Sequence, residues 1–417
     1  MRRSSALSLT AALAWGVIAP AQAATAATAA TAATAASAHA GTGTDLDRGA
    51  LRKAISVHPD AGVAGVVAEV HKNGQRWRGT SGDIITGKPI SPDAHFRIGS
   101  ISKPMEAVIL LQLSAEGRVD LDRSVQHYLP GLLPEARFTE PISVRQLLNH
   151  TSGLPQDFEG SPATPEDEEI ERRFEYLSFD EVIEQTLRPV GRPAPGPRFA
   201  PGTRQEYNSF GYRVAGKLIE EITGHPYRYE VTARILKPLK MRETRAAAPG
   251  RSTPVPAPYL PGYMTRSTGE AVDVNVQGGL PASMTSTTGD LDRFISGLFD
   301  GRLLQPEQAA ELFALPKGSD GKPLPYANGS NCNTGPARGT ACFSVGLMSL
   351  PLRDGSVLWG KTGSDPGYRS GVFASPDLNR RGVYAIGTSS SSGHGAEAMA
   401  QRLALAAFGN QAPPLER

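Results

Sequence analysis

Cysteine is almost absent from these 417 residues: Cys332 and Cys342 are the whole complement. They lack CxxC spacing and have no histidine nearby, which argues against a metal or redox site. Charge of one sign is lacking too. The formal net charge is +2, and the two arginines at positions 2 and 3 supply all of it. A chain so balanced has no overall electrostatic footprint for nucleic acid or a membrane surface. No HExxH zinc helix occurs, no GxSxG elbow of a Ser-His-Asp hydrolase, and the eight histidines are scattered. We find no internal repeats. The one long apolar run, LSLTAALAWGVIA at 7–19, is too short to span a bilayer comfortably.

That run instead marks a leader. Arg2 and Arg3 form a positive start, and Ala21-Gln22-Ala23 is a small-x-small cleavage pattern. Residues 1–23 are therefore expected to be a signal peptide, with a second possible cut after Ala40. The protein is expected to be secreted without a stable membrane anchor. In that compartment Cys332 and Cys342 are expected to form a disulfide that staples the loop between them. Residues 24–43, an Ala/Thr tract, read as a low-complexity linker.

The catalytic unit is expected over 44–410. DLDRGALRKAISVHP reads as a short amphipathic helix. Two strands then flank an Asn73-Gly74 hairpin turn. The stretch from Ser102 to Glu116 is apolar all round and should be a buried helix. Residues 118–300 read as mostly helical, with a capping box at Ser143 to Gln146, a helix stop at Gly224 and a proline-rich surface connector at 188–203. After 340 the period becomes that of strands, and AEAMAQRLALAAFG closes the chain as a helix. The fold class is thus α+β: an antiparallel sheet flanked by the terminal helices, with a mostly helical insertion.

Three segments could carry chemistry. In FRIGSISK, Ser100 and Lys103 share a helix face at i and i+3, so the lysine can take the serine's proton if burial lowers its pKa. Pro104 lacks an N–H and is tolerated only in a first turn, which puts Ser100 at the helix start. SxxK alone is weak, because Ser319 and Lys322 match it inside a glycine-rich turn. Tyr207 follows the proline-rich connector and precedes a helix, where a tyrosine beside a lysine can relay protons. Lys361-Thr362-Gly363 falls among the late strands and offers an ammonium, a hydroxyl and close backbone approach. Each has an ordinary structural explanation in isolation: a helix cap, a packed ring, a strand lysine. Their order along the chain changes the balance.

With FRIGSISK, VRQLLNHTSGLP, FAPGTRQEYNSFGYRVAGKLIEEITG and GKTGSDPGYRSGVFASPD in this order, the chain resembles the serine β-lactamase and DD-peptidase superfamily over most of 45–410. It looks closest to secreted D-alanyl-D-alanine carboxypeptidases and class C-like enzymes. The resemblance implies Ser100 as the acylated nucleophile, Lys103 as its base and Tyr207 as the second proton carrier. It implies Lys361, Thr362 and Ser209 as substrate-binding groups, and the backbone N–H groups of Ser100 and Ser364 as the oxyanion hole. It implies no metal and no cofactor. The partner would be a peptidoglycan stem peptide or a β-lactam. Two departures stand out. The family's Tyr-x-Asn reads Tyr207-Asn208-Ser209 here, and Met348 lies near the place of an arginine that binds a substrate carboxylate, leaving Arg353 or Arg369 as substitutes. A β-lactamase, an esterase, a D-amino-acid amidase or a silent binding protein of the same fold remain rivals.

Overall fold

In the computed structural model, the apolar runs at the two ends of the sequence pair with one another. It describes residues 45–57, 62–82, 85–159, 161, 164–191, 193–248, 250–327, 339–389 and 394–409. Strands β1 (Val63–Lys72) and β2 (Gln75–Ser81) form the early hairpin. Asn73 and Gly74 both take positive φ, 50° and 77°, as a two-residue turn matched to strand twist requires. The late strands are β3 (Met348–Pro351), β4 (Val357–Asp365), β5 (Tyr368–Ala374) and β6 (Arg380–Thr388). They build one antiparallel sheet in the order β3-β4-β5-β6-β1-β2. Strand β6 runs along β1, pairing Ala68 with Tyr384 and Val66 with Ile386.

The helices that matter here are α1 (Arg48–Ala54), α2 (Ser102–Ala115), α3 (Val144–Leu148), α4 (Phe179–Leu187), α5 (Phe210–Thr223), α6 (Thr288–Phe299) and α7 (His394–Phe408). Helix α1 starts where Asp47 Oδ1 accepts from the N–H groups of Gly49 and Ala50 at 2.9 and 2.8 Å. Together α1 and α7 cover one face of the sheet. Leu51, Ile55, Met399 and Leu403 pack there on Val66, Val70, Trp77 and Ile386. The alternate residues Val67, Val372, Val383 and Ala385 point the other way, into a core that includes Leu291, Phe294 and Ile295 of α6. Each large side chain so buried contributes about 1.5–3 kcal/mol.

Helix α2 runs through that second core, with eleven of its fourteen residues buried and α5 packed against it. The capping box at Ser143 and Gln146 opens α3, and Gly224, at φ 72°, ends α5. The stretch 118–300 is less helical than its pattern predicts. Phe96–Arg97, Met284–Ser286 and Arg245–Ala246 form a small antiparallel sheet, and two further strand pairs lie between 253 and 277. Strands of two or three residues are too short to show a period of two. The connector at 188–203 is largely exposed. It is tied down at Arg198, which forks onto Glu206 at 2.9 and 2.8 Å and reaches Glu159 at 2.9 Å. The expected disulfide, the leader and the Ala/Thr tract involve residues 1–44 and Cys332, which lie outside the described residues.

Candidate active site

A short 3₁₀ turn, Gly99–Ile101, delivers Ser100 to the start of α2, and Pro104 occupies the first turn that follows. Gly99 takes φ 51°, and a β-carbon there would stand 2.5 Å from the Ser364 carbonyl oxygen. Only glycine satisfies both conditions, so the nucleophile turn can rest directly on β4. Lys103, buried at 4% exposure, aims its Nζ back along the helix and donates to Ser100 Oγ at 3.1 Å.

Tyr207 reaches the same atom from the other side, with its Oη 2.8 Å from Ser100 Oγ. Its backbone is fixed at both ends. The Tyr207 N–H donates to the Tyr326 hydroxyl at 2.7 Å, and its carbonyl accepts from Gln156 Nε2 at 2.9 Å. Gln205, two residues earlier and fully buried, donates to the carbonyls of Asn149 and Phe343 and accepts from the N–H groups of Cys342 and Phe343. One satisfied amide thus ties three chain segments around the tyrosine.

Lys361 enters from β4. Its Nζ lies 4.7 Å from the Tyr207 ring centroid and donates to the Thr362 carbonyl at 2.9 Å. Burial pushes its pKa down, and nearby Lys103 adds to that, while Tyr207 opposes it. For Tyr207 burial acts in the opposite sense, favouring the neutral phenol. The two ammonium groups and the hydrogen bonds to Ser100 and Lys103 outweigh it and bring the phenol down to about 7. Ser100, Lys103, Tyr207 and Lys361 therefore converge, and Thr362 is the next residue along β4. Ser364 follows on the same strand, opposite Arg369 in register. A hydroxyl flanked by a lysine and an acidified phenol can lose its proton at neutral pH and attack a carbonyl.

His150 lies in the VRQLLNHTSGLP segment, which gives it no catalytic role. It sits in the left-handed region at φ 61°, with its ring tilted 4.7 Å from the Tyr207 ring and edge-on 4.9 Å from Phe343. Burial, together with Lys361 and Lys103, pushes its pKa well below the usual value, so the ring is neutral. Its Nδ1 accepts from the Asn208 N–H at 3.1 Å. The aromatic floor beneath Tyr207 comes from segments far apart in sequence, which leaves no local signal.

The Tyr-Asn-Ser departure has a structural form. The Asn208 amide donates to the carbonyls of Leu154 and Pro155, each at 2.8 Å, and its Oδ1 accepts from the Gly211 N–H at 2.6 Å. It is committed to holding that loop and starting α5. Ser209, half-buried at the N-cap of α5, makes no capping bond with its side chain. Of the possible carboxylate ligands, Arg353 lies in the turn after β3, and Arg369 Nη1 donates to the Asp365 and Tyr368 carbonyls at 3.2 and 2.9 Å. Met348 is buried opposite Gly360.

Elsewhere, Glu69, His71 and Asp292 bring ligand atoms within 4.8 Å of one another. Arg76 and Arg381 already bond this group, at 2.7 Å to Glu69 and 2.8 Å to Asp292, so it is an ion-pair network that a metal cation would have to displace.

The profile of the Beta-lactamase family matches residues 23–414. Esterase EstB of Burkholderia gladioli is 35% identical over 188 residues, 43% of this chain and 46% of that protein. Penicillin-binding protein 4 of Amycolatopsis lactamdurans is 29% identical over 160 residues, 38% of each. The matched region thus spans less than half the length of these relatives. Among solved structures, a D-stereospecific amidohydrolase from Streptomyces sp. superposes with a TM-score of 0.70 at 29% identity, covering 88% of this chain and 100% of the other. D-amino acid amidase from Ochrobactrum anthropi SV3 gives 0.66 at 27% identity, covering 86% and 97%. The chain belongs to the Beta-lactamase family, as a serine hydrolase of the fold shared by serine β-lactamases and penicillin-binding proteins.

Proposed function

We propose that Ser100 is the nucleophile of an amide hydrolase that forms an acyl-enzyme with substrates carrying a D-residue on the acyl side. The observation that carries this reading is the position of Ser100 Oγ, 3.1 Å from Lys103 Nζ and 2.8 Å from Tyr207 Oη. Tyr207, ionised beside two lysines, takes the Ser100 proton as Oγ attacks the carbonyl carbon. The resulting oxyanion is held by the N–H groups of Ser100 and Ser364. As the C–N bond breaks, the phenol returns the proton to the leaving nitrogen. Water then adds to the ester by the same route, giving the free acid and Ser100. Lys103 keeps the phenolate's charge balanced and orients Oγ. Thr362 and Ser209 are the side-chain hydroxyls offered to the substrate.

Within this reading the D-alanyl-D-alanine carboxypeptidase requires a seat for a free carboxylate, and Lys361, 4.7 Å from the Tyr207 ring, is the cation beside the site that Ser100 does not already engage. A D-amino-acid amidase or esterase requires none. The likeness to the Streptomyces and Ochrobactrum structures supports that second reading, as does the engagement of Arg369 with its own backbone. Export with loss of residues 1–23 and a Cys332–Cys342 disulfide complete the proposal.

Intact mass after brief exposure to benzylpenicillin, with Ser100→Ala as control, tests the nucleophile. An adduct on the wild type only, or penicillin consumed by the wild type only, supports acylation at Ser100. With neither, a D-phenylalanine amide and a p-nitrophenyl ester are assayed, and turnover that survives in Ser100→Ala overturns the proposal. A peptide ending in D-Ala-D-Ala, compared with its C-terminal amide, then separates the two readings. Preference for the free acid identifies a carboxypeptidase.

A further inference from the structure

The balance of charge over the whole chain conceals a local excess. A cavity of about 590 Å³ opens where the helical segment Tyr227–Leu236 ends, and it shares no lining residue with the Ser100 site. Its walls carry five cations, Arg228, Lys237, Lys240, Arg242 and Arg245, and no acidic side chain. All five are exposed, and among the described residues none has an ion-pair partner. Yet acids are close in sequence. Glu230 is turned away to His225 at 2.8 Å and Arg234 at 2.5 Å, and Glu243 is turned away to His95 at 3.2 Å. Arg234, the remaining cation of this stretch, is paired with Glu116 and Glu230.

A helix C-terminus attracts cations, which accounts for Lys237 and Lys240. It does not account for Arg228 a turn and more upstream, or for Arg242 and Arg245 beyond the turn. Five like charges around one cavity repel each other and focus a positive field into it. We propose that this cavity binds a multiply charged phosphate ligand, with the three guanidinium groups forking onto phosphate oxygens and the lysines neutralising the remaining charge. The ligand chemistry is a phosphate group or a short run of them, presented either free in solution or on a lipid headgroup.

Calorimetric titration with tripolyphosphate and co-sedimentation with phosphatidylglycerol vesicles distinguish those sources, each at low and raised salt. Binding to either probe should weaken as salt rises. It should fall about tenfold or more in Lys237→Ala/Lys240→Ala/Arg242→Ala, and to a lesser degree in Arg228→Ala. Arg52→Ala/Lys53→Ala on α1 should bind as the wild type does. A thermal melt establishes that each variant is folded. The proposal is overturned if the wild type binds neither probe, or if the folded triple variant binds as tightly as the wild type.

Discussion

Gly363 approaches Ile98 so closely that a β-carbon at position 363 would stand 1.9 Å from the Ile98 carbonyl oxygen. That contact and the seat of Gly99 on Ser364 are the two points where the nucleophile turn docks on β4. They set the spacing between the two N–H groups assigned to the oxyanion. Gly363→Ala must push the strand and the turn apart, so acylation should fall by about two orders of magnitude or more, the loss expected from a displaced oxyanion donor. The rate constant of the burst phase with a chromogenic ester measures it. Acylation at the wild-type rate would show that the docking contact does not set the site's geometry.

The phenol of Tyr207 should dominate the pH profile. Its pKa of about 7 means that the ionised fraction, and with it kcat/KM, rises through neutral pH. Tyr207→Phe should lose about 10²- to 10⁴-fold in kcat/KM and the rising limb with it. Lys361→Gln removes one of the two charges that acidify the phenol, so its limb should move to higher pH. A limb unmoved by Lys361→Gln would assign the titration to another group.

Much of this site can be read from the chain because its parts are local. Pro104 places Ser100 at a helix start, and Lys103 follows at the spacing of one turn. The apolar runs after 340 and the Asn73-Gly74 turn announce the sheet. What could not be read depends on distant partners. Asn208 rather than Ser209 anchors the loop because Leu154 and Pro155 present carbonyls to it. His150 becomes part of the tyrosine's bed through ring contacts across the fold. The cation-lined cavity is invisible in a net charge, since acidic residues spread over the rest of the chain balance its five cations in the count.

Glu69 should stabilise the sheet in a pH-dependent way. Burial alone would raise its pKa, but hydrogen bonds from His71 and Arg76 lower it to about 2. A carboxylate whose folded pKa is depressed contributes stability above its unfolded value, which is lost as pH falls from about 4.5 towards 2. Glu69→Gln leaves the surrounding cations without their central charge and should cost about 3 kcal/mol at pH 7 in chemical denaturation. The gap between variant and wild type should narrow as the pH falls through 3 and close only below about 2.

Glu106 should act in the opposite direction. It lies inside the apolar stretch of α2, buried at 2% exposure, with Oε2 lacking a hydrogen-bond partner. Burial raises its pKa to about 8, even though Lys103 and Arg213 pull it down. The folded state therefore holds a proton that the unfolded chain releases above about 4.5, so stability falls as pH rises from there to about 8 and then levels off. Glu106→Gln keeps the shape and removes the titration. Its melting temperature should match the wild type near pH 4 and exceed it by several degrees at pH 8. Parallel melting curves across that range would mean that Glu106 is ionised in the folded protein, with Lys103 and Arg213 supplying the compensation that burial otherwise denies it.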